Sequence, residues 1–112
     1  MSITEKRGAS LDGCREKILL AAIRVEPLFA KYGVDLVVTS GVEPYKHTAN
    51  RSGHYRGDGI DVRSKTIPKA DRRKLQGKIK RKLGPDYVVI LENEGATSEH
   101  YHIHWSPVFH GK

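Results

Sequence analysis

The chain predicts a single α+β domain, with a small, mostly antiparallel sheet packed against an N-terminal helix and a second, basic helix. Three observations carry this. Apolar residues recur at helical spacing over 11–32 and again over 67–83. Four short segments, 35–39, 59–63, 87–91 and 100–105, are β-branched or alternate apolar with polar residues. A chain of 112 residues with 38% hydrophobic composition fills one core and not two. The order helix, strand, strand, helix, strand, strand then selects segregated helices on an antiparallel sheet.

Taken in order, residues 1–10 are polar and read as a flexible N-terminus, and residues 11–112 as the domain. In the first helix, Ile18, Leu19, Ala22, Ile23, Leu28 and Phe29 form the apolar stripe, with Ser10 or Asp12 as N-cap and Gly33 as C-cap. Pro27 lacks an amide donor and crowds the preceding turn, so a kink or split near Val25 is expected. Asp35–Thr39 is a short strand, 40–53 a polar loop, and Gly59–Arg63 a half-buried strand with Ile60 and Val62 on one face and Asp61 on the other. Pro68 suits a helix start, and Ile67, Leu75, Ile79 and Leu83 make a narrow apolar stripe ending at Gly84 and Pro85. Tyr87–Leu91 is a strand, 92–98 a loop and His100–Trp105 the last strand. Trp105 reads as core, and Cys14 as a small buried hydrophobe on the first helix.

Charge and cysteine content restrict the chemistry. Net charge is +7, and ten of the twenty Lys and Arg fall between Arg63 and Lys82. The simplest account of that run is a solvated helix face; the sharper one is a docking surface for an anionic polymer. A single cysteine, Cys14, rules out an internal disulfide and thiolate-rich zinc sites. The first residues carry no apolar signal region and no apolar run reaches membrane-spanning length, so a soluble protein made in the cytosol, without membrane insertion, is expected.

Two segments carry the functional signal. Ser52 to Asp61 contains H-x-x-G-x-x-x-D, with His54 and Asp61 seven apart, and Glu99 to His104 reads E-x-x-H-x-H. Strand alternation puts Tyr101, Ile103 and Trp105 on one face of the last strand and His100, His102 and His104 on the other. If the strand bearing Asp61 pairs nearby, Asp61 and His102 converge on one cation and His54 closes the third position. Such a mixed imidazole and carboxylate set suits Zn²⁺ with an open position for water, although other divalent ions fit similar sites. Glu99 is then the candidate general base, and His104 a group to stabilise an oxyanion, orient substrate or replace His102 as ligand. His47, His100 and His110 read as exposed or hydrogen-bonded histidines.

At these residues the chain resembles the D-alanyl-D-alanine carboxypeptidase family of zinc peptidases, related to hedgehog domains and to phage L-alanyl-D-glutamate endolysins. The family pattern S-x-H-x-x-G-x-A-x-D followed by E-x-x-H falls on Ser52, His54, Gly57, Gly59, Asp61, Glu99 and His102. Thr39-Ser40-Gly41 is similar to the family's strand-end T-S-G. The resemblance spans residues 34–107 and implies a hedgehog/DD-peptidase-like fold, zinc on His54, Asp61 and His102, Glu99 as base, and peptidoglycan stem peptides as substrates. Gly59 stands where the family has a small alanine. The family's arginine after S-G is absent, since Val42 and Glu43 follow Gly41; Arg51, Lys46 or Arg56 could take its role, and Ser52 belongs to the same substrate-side group.

A monomeric peptidase is expected; the lack of a signal region fits an enzyme held in a host cytoplasm before release to the wall or carried in a virion, and the basic helix offers affinity for anionic wall polymer. The alternative is a zinc-binding structural or virion protein of the same fold without catalysis. A third reading, a DNA nickase with a His-hydrophobic-His pair and Tyr45 or Tyr55 as nucleophile, leaves Glu99 and the His54/Asp61 spacing unexplained. Nucleic acid is therefore not the expected partner.

Overall fold

A computed structural model of the chain describes residues 2–41 and 58–107. Among these, five strands form one mixed sheet, and two helices lie against one of its faces. The elements are β1 (Ile3–Glu5), α1 (Glu16–Ala30), β2 (Leu36–Ser40), β3 (Gly59–Arg63), α2 (Arg72–Leu83), β4 (Tyr87–Glu92) and β5 (His100–Trp105), with a short 3₁₀ turn at Lys69–Asp71 leading into α2.

α1 begins later than the apolar spacing predicts. Ser10 and Asp12 do not cap it; the Ser10 hydroxyl accepts from the Asp12 amide in a preceding turn, and Arg15, in extended conformation, is the N-cap. Cys14 therefore sits ahead of the helix, partly buried against the core. The buried stripe is Ile18, Ala21, Ala22, Val25 and Phe29, whereas Leu19 and Ile23 lie on the outer side, Ile23 at 59% exposure. Pro27 does not split the helix. It stands in the last turn, where its missing donor orphans only the carbonyl of Ile23, a residue on the wet face where water can serve as partner. The chain then leaves the helix through Gly33 at φ +73°, a left-handed conformation that suits glycine.

The sheet order is β1-β2-β3-β5-β4. Three of its four pairings are antiparallel, and β1 runs parallel to β2. β1 corrects the reading of residues 1–10 as lacking an element. Three residues, Ile-Thr-Glu, are too few to show a period, but the outer edge of β2 offers unpaired backbone groups that they satisfy. The amide of Ser2 also donates to Asp35, and the Glu5 carboxylate accepts from Leu11, tying the N-terminal segment down. Gly41 follows the end of β2 so close to the backbone of Ser10 that a Cβ there would overlap its carbonyl.

The core lies between the sheet and the helices. Val38, Ile60, Val62, Val89, Tyr101 and Ile103 from the strands meet Ile18, Val25 and Phe29 of α1 and Leu75, Ile79 and Leu83 of α2. Phe29 and Tyr101 pack edge to face with centroids 6.1 Å apart, and the Tyr101 hydroxyl donates to the Arg72 carbonyl at 2.7 Å. Phe29→Ala would open a fully buried volume, so a loss of about 3–5 kcal/mol is expected. It would appear as a lower urea midpoint with an unchanged m-value.

The opposite face of the sheet holds polar residues of β3, β5 and the edge strand β4. Asp61 and Arg63 of β3, His100, His102 and His104 of β5, and Glu92 of β4 all fall on it by alternation and register. No helix among the described residues is long and apolar enough to cross a membrane.

Candidate metal centre

β3 and β5 pair in the register that sets Asp61 opposite His102, Arg63 opposite His100 and Gly59 opposite His104. The register follows from burial. Ile60, Val62, Tyr101 and Ile103 must all face the helices, and a slip by one residue would turn them to solvent. Asp61 and His102, forty-one residues apart, thus become neighbours, with Oδ1 2.9 Å from Nδ1. Gly59 lets the strands approach closely, since a Cβ there would lie 3.0 Å from that of His104.

A carboxylate only accepts, so His102 Nδ1 carries the proton toward Asp61. Its Nε2 lies 2.8 Å from His104 Nδ1, one of the two rings donating to the other. His104 therefore contacts His102 directly. His100 is bound differently. Its Nδ1 faces the Ser98 carbonyl and its Nε2 faces Glu92 Oε1, each at 2.8 Å, with Asp61 Oδ1 at 3.5 Å from the same Nε2. Both ring nitrogens meet groups that only accept, which favours the imidazolium. Burial opposes that charge, but the Ser98 carbonyl and the charges of Asp61 and Glu92 outweigh it, and the pKa is raised above the ordinary value.

Asp61 thus stands between two imidazoles. It pairs with His102, and among the described residues Asp61, Glu92 and His100 form a group whose donor atoms lie within 4.8 Å of one another and which could hold a metal ion. Ligand atoms of a tetrahedral zinc sit roughly 3.3–3.5 Å apart, given bonds of about 2.0–2.2 Å. The 2.9 Å and 3.5 Å separations around Asp61 therefore need only small side-chain shifts to receive a cation. Half-buried acidic groups of this kind also occur without an ion, with a proton in its place.

Glu99 precedes His102 by three residues but is engaged elsewhere. Its carboxylate accepts from the Ser64 hydroxyl at 2.5 Å, Arg72 at 3.0 Å and the Gly95 amide at 3.1 Å. Asp61 and His102 are not among its partners. Its side chain is 1% exposed. Burial pushes its pKa up, but the Ser64 and Gly95 hydrogen bonds and the charges of Arg72 and Lys65 outweigh this, holding it below the ordinary carboxylate range. Of the remaining expected site residues, His54, Ser52, Arg51 and Arg56 lie outside the described residues, as do Lys46, Tyr45 and Tyr55.

Comparison with known families, curated proteins and solved structures gave no match.

Glu92 and His100 are the members of the group that sequence reasoning did not single out. Ending the predicted strand from Tyr87 at Leu91 put Glu92 in a loop, whereas β4 runs one residue further and pairs Glu92 with His100. Extending the alternation Val88, Ile90, Glu92 would have placed that carboxylate beside the histidines.

Proposed function

We propose that the chain is a zinc-dependent peptidase acting on peptidoglycan stem peptides, either as a carboxypeptidase removing a terminal D-alanine or as an endopeptidase cutting L-alanyl-D-glutamate. The observation that carries this reading is the pairing of Asp61 with His102. They are separate in sequence and named as co-ligands from their motifs, and their donor atoms are 2.9 Å apart on the helix-free face of the sheet. A bound divalent cation there would supply Lewis acidity and a water of lowered pKa. Asp61 and His102 would hold it, with His54 as the third ligand expected from sequence.

The base is the point at which the fold bears on the mechanism. Glu99 has the expected offset, but Ser64, Arg72 and Gly95 hold its oxygens. Glu92, at 41% side-chain exposure and hydrogen-bonded to His100, is the carboxylate that stands with the group. Glu92 is therefore assigned the proton-accepting role, and His100 and His104 flank the position of substrate.

The test is turnover of purified muropeptides, read by mass spectrometry, with zinc or with chelator. Zinc-dependent release of D-alanine or stem fragments is expected. At matched folded fraction, Glu92→Gln should lower turnover by about 100-fold or more, while Glu99→Gln should lose activity only in step with stability. The reverse pattern returns the base role to Glu99.

The committed state of Glu99 also favours a second reading, a zinc-binding structural protein of the same fold. Stoichiometric zinc without product on any wall type would select it.

A further inference from the structure

Beside the metal group lies a polar cavity of about 260 Å³, lined by Lys6, Thr39, Arg63, Lys65, Ser98 and His100 among others. It opens at the register step next to the Asp61 and His102 pair, because Arg63 is the cross-strand partner of His100. One residue, His100, belongs to both the cavity and the metal group.

The charge of its walls is unbalanced. Lys6, Arg63 and Lys65 are cationic, and the one acid in the lining, Glu99, is already paired with Arg72. Lys65 uses its ammonium on the Thr97 carbonyl at 2.7 Å, which keeps it at the rim. Arg63 is half-buried, and among the described residues no carboxylate pairs with it. A half-buried arginine in a cavity that also carries the hydroxyls of Thr39 and Ser98 is a poor arrangement for stability alone. It is well suited to bind a planar anion through two parallel hydrogen bonds.

We infer that this cavity binds a free carboxylate of the peptide substrate, with Arg63 as its principal donor and Lys65 and Lys6 as supporting charges. The inference rests on the peptidase reading for the identity of the ligand. Substrate held this way would present the adjacent amide toward the face where Asp61, His100 and His102 converge, so Arg63 is a substrate-positioning residue.

The experiment is an NMR titration of the full chain with a stem peptide ending in D-alanyl-D-alanine and with the same peptide as its C-terminal amide. The acid should shift the Arg63 side-chain NH and the Ser98 and His100 signals, and the amide should bind at least tenfold more weakly. Arg63→Gln should erase that tenfold preference, and Arg63→Lys should restore part of it. In turnover, Arg63→Gln should raise KM far more than it lowers kcat. Equal affinity for acid and amide, or an unchanged preference in Arg63→Gln, overturns the inference even if hydrolysis is robust. Carboxylate-selective binding at Arg63 without hydrolysis upholds the cavity and removes the peptidase reading instead. Absence of any shift at these residues with either peptide overturns the cavity.

Discussion

For the proposed metal centre, Asp61→Ala is expected to abolish zinc binding while leaving the fold in place. Asp61 is shared by the pair with His102 and the group with Glu92 and His100, 2.9 Å from His102 and 3.5 Å from His100. Its loss removes a ligand from either arrangement. Loss of groups that merely support a ligand costs about 10- to 100-fold in affinity, so loss of the shared ligand itself should cost more than about 100-fold. Isothermal titration with Zn²⁺ measures this directly. Co²⁺ substitution gives a second readout, because its visible bands report coordination number. The side chain is half-buried on the open face and contributes nothing to the apolar core, so the urea midpoint should move little without metal. Retained stoichiometric zinc in Asp61→Ala would place the metal on other residues and remove the basis for the peptidase reading.

The comparison of His102→Ala with His100→Ala refines this. If zinc sits on the Asp61 and His102 set, His102→Ala loses it and His100→Ala does not. If it sits with Glu92 and His100, the pattern inverts. Both outcomes are compatible with a metal centre, and they assign it to different halves of the same cluster.

Most of the fold was legible because its signals are strong and local. The alternation Tyr101, Ile103 against His100, His102, His104 fixes which face of β5 is dry, and the buried Ile60 and Val62 fix β3 in the same way. Once both strands are oriented, antiparallel pairing needs only the correct register for Asp61 to meet His102. What was not legible depends on context rather than pattern. β1 is three residues long and exists because β2 presents an edge. The helix start at Glu16 rather than near Leu11 reflects the Glu5 carboxylate capturing the Leu11 amide, a contact between residues whose own sequence predicts neither. The unbroken helix through Pro27 follows from which face of the helix is wet. At the site, the offset of Glu99 from His102 was correct, yet offset says nothing of direction. Glu99 lies just ahead of the first residue of β5, where alternation no longer governs the side chain, and a buried hydroxyl and a guanidinium from α2 claim it.

That claim makes Glu99 the source of the second large effect, on stability. A carboxylate at 1% exposure needs compensation for lost hydration, and it has three donors, two of them from segments distant in sequence: Ser64 just after β3 and Arg72 at the first turn of α2. The site therefore fastens the β4 to β5 turn, through Gly95, to the start of α2. Glu99→Ala would leave Arg72, itself only 15% exposed, and the Ser64 hydroxyl without their partner. Breaking a buried pair from one side costs about 3–5 kcal/mol, a large part of the roughly 5–15 kcal/mol that holds a domain together. Chemical denaturation at pH 7 should show that loss. Glu99→Gln keeps the shape and part of the hydrogen bonding, and should fall between Glu99→Ala and wild type.

The pH dependence separates charge from packing. The folded protein holds the Glu99 pKa below its ordinary value of 4.5. The unfolded chain therefore takes up the proton first as pH falls, and the stability that the carboxylate contributes is complete above about pH 5.5 and is lost progressively through and below 4.5. The gap between wild type and Glu99→Gln should accordingly be widest at neutral pH and narrow in acid, whereas the deficit of Phe29→Ala should not change with pH. A gap that stays constant down to pH 3 would show that the ionisation of Glu99 does not hold the site together. The carboxylate would then be free of the structural duty assigned to it, and its candidacy as the general base would return.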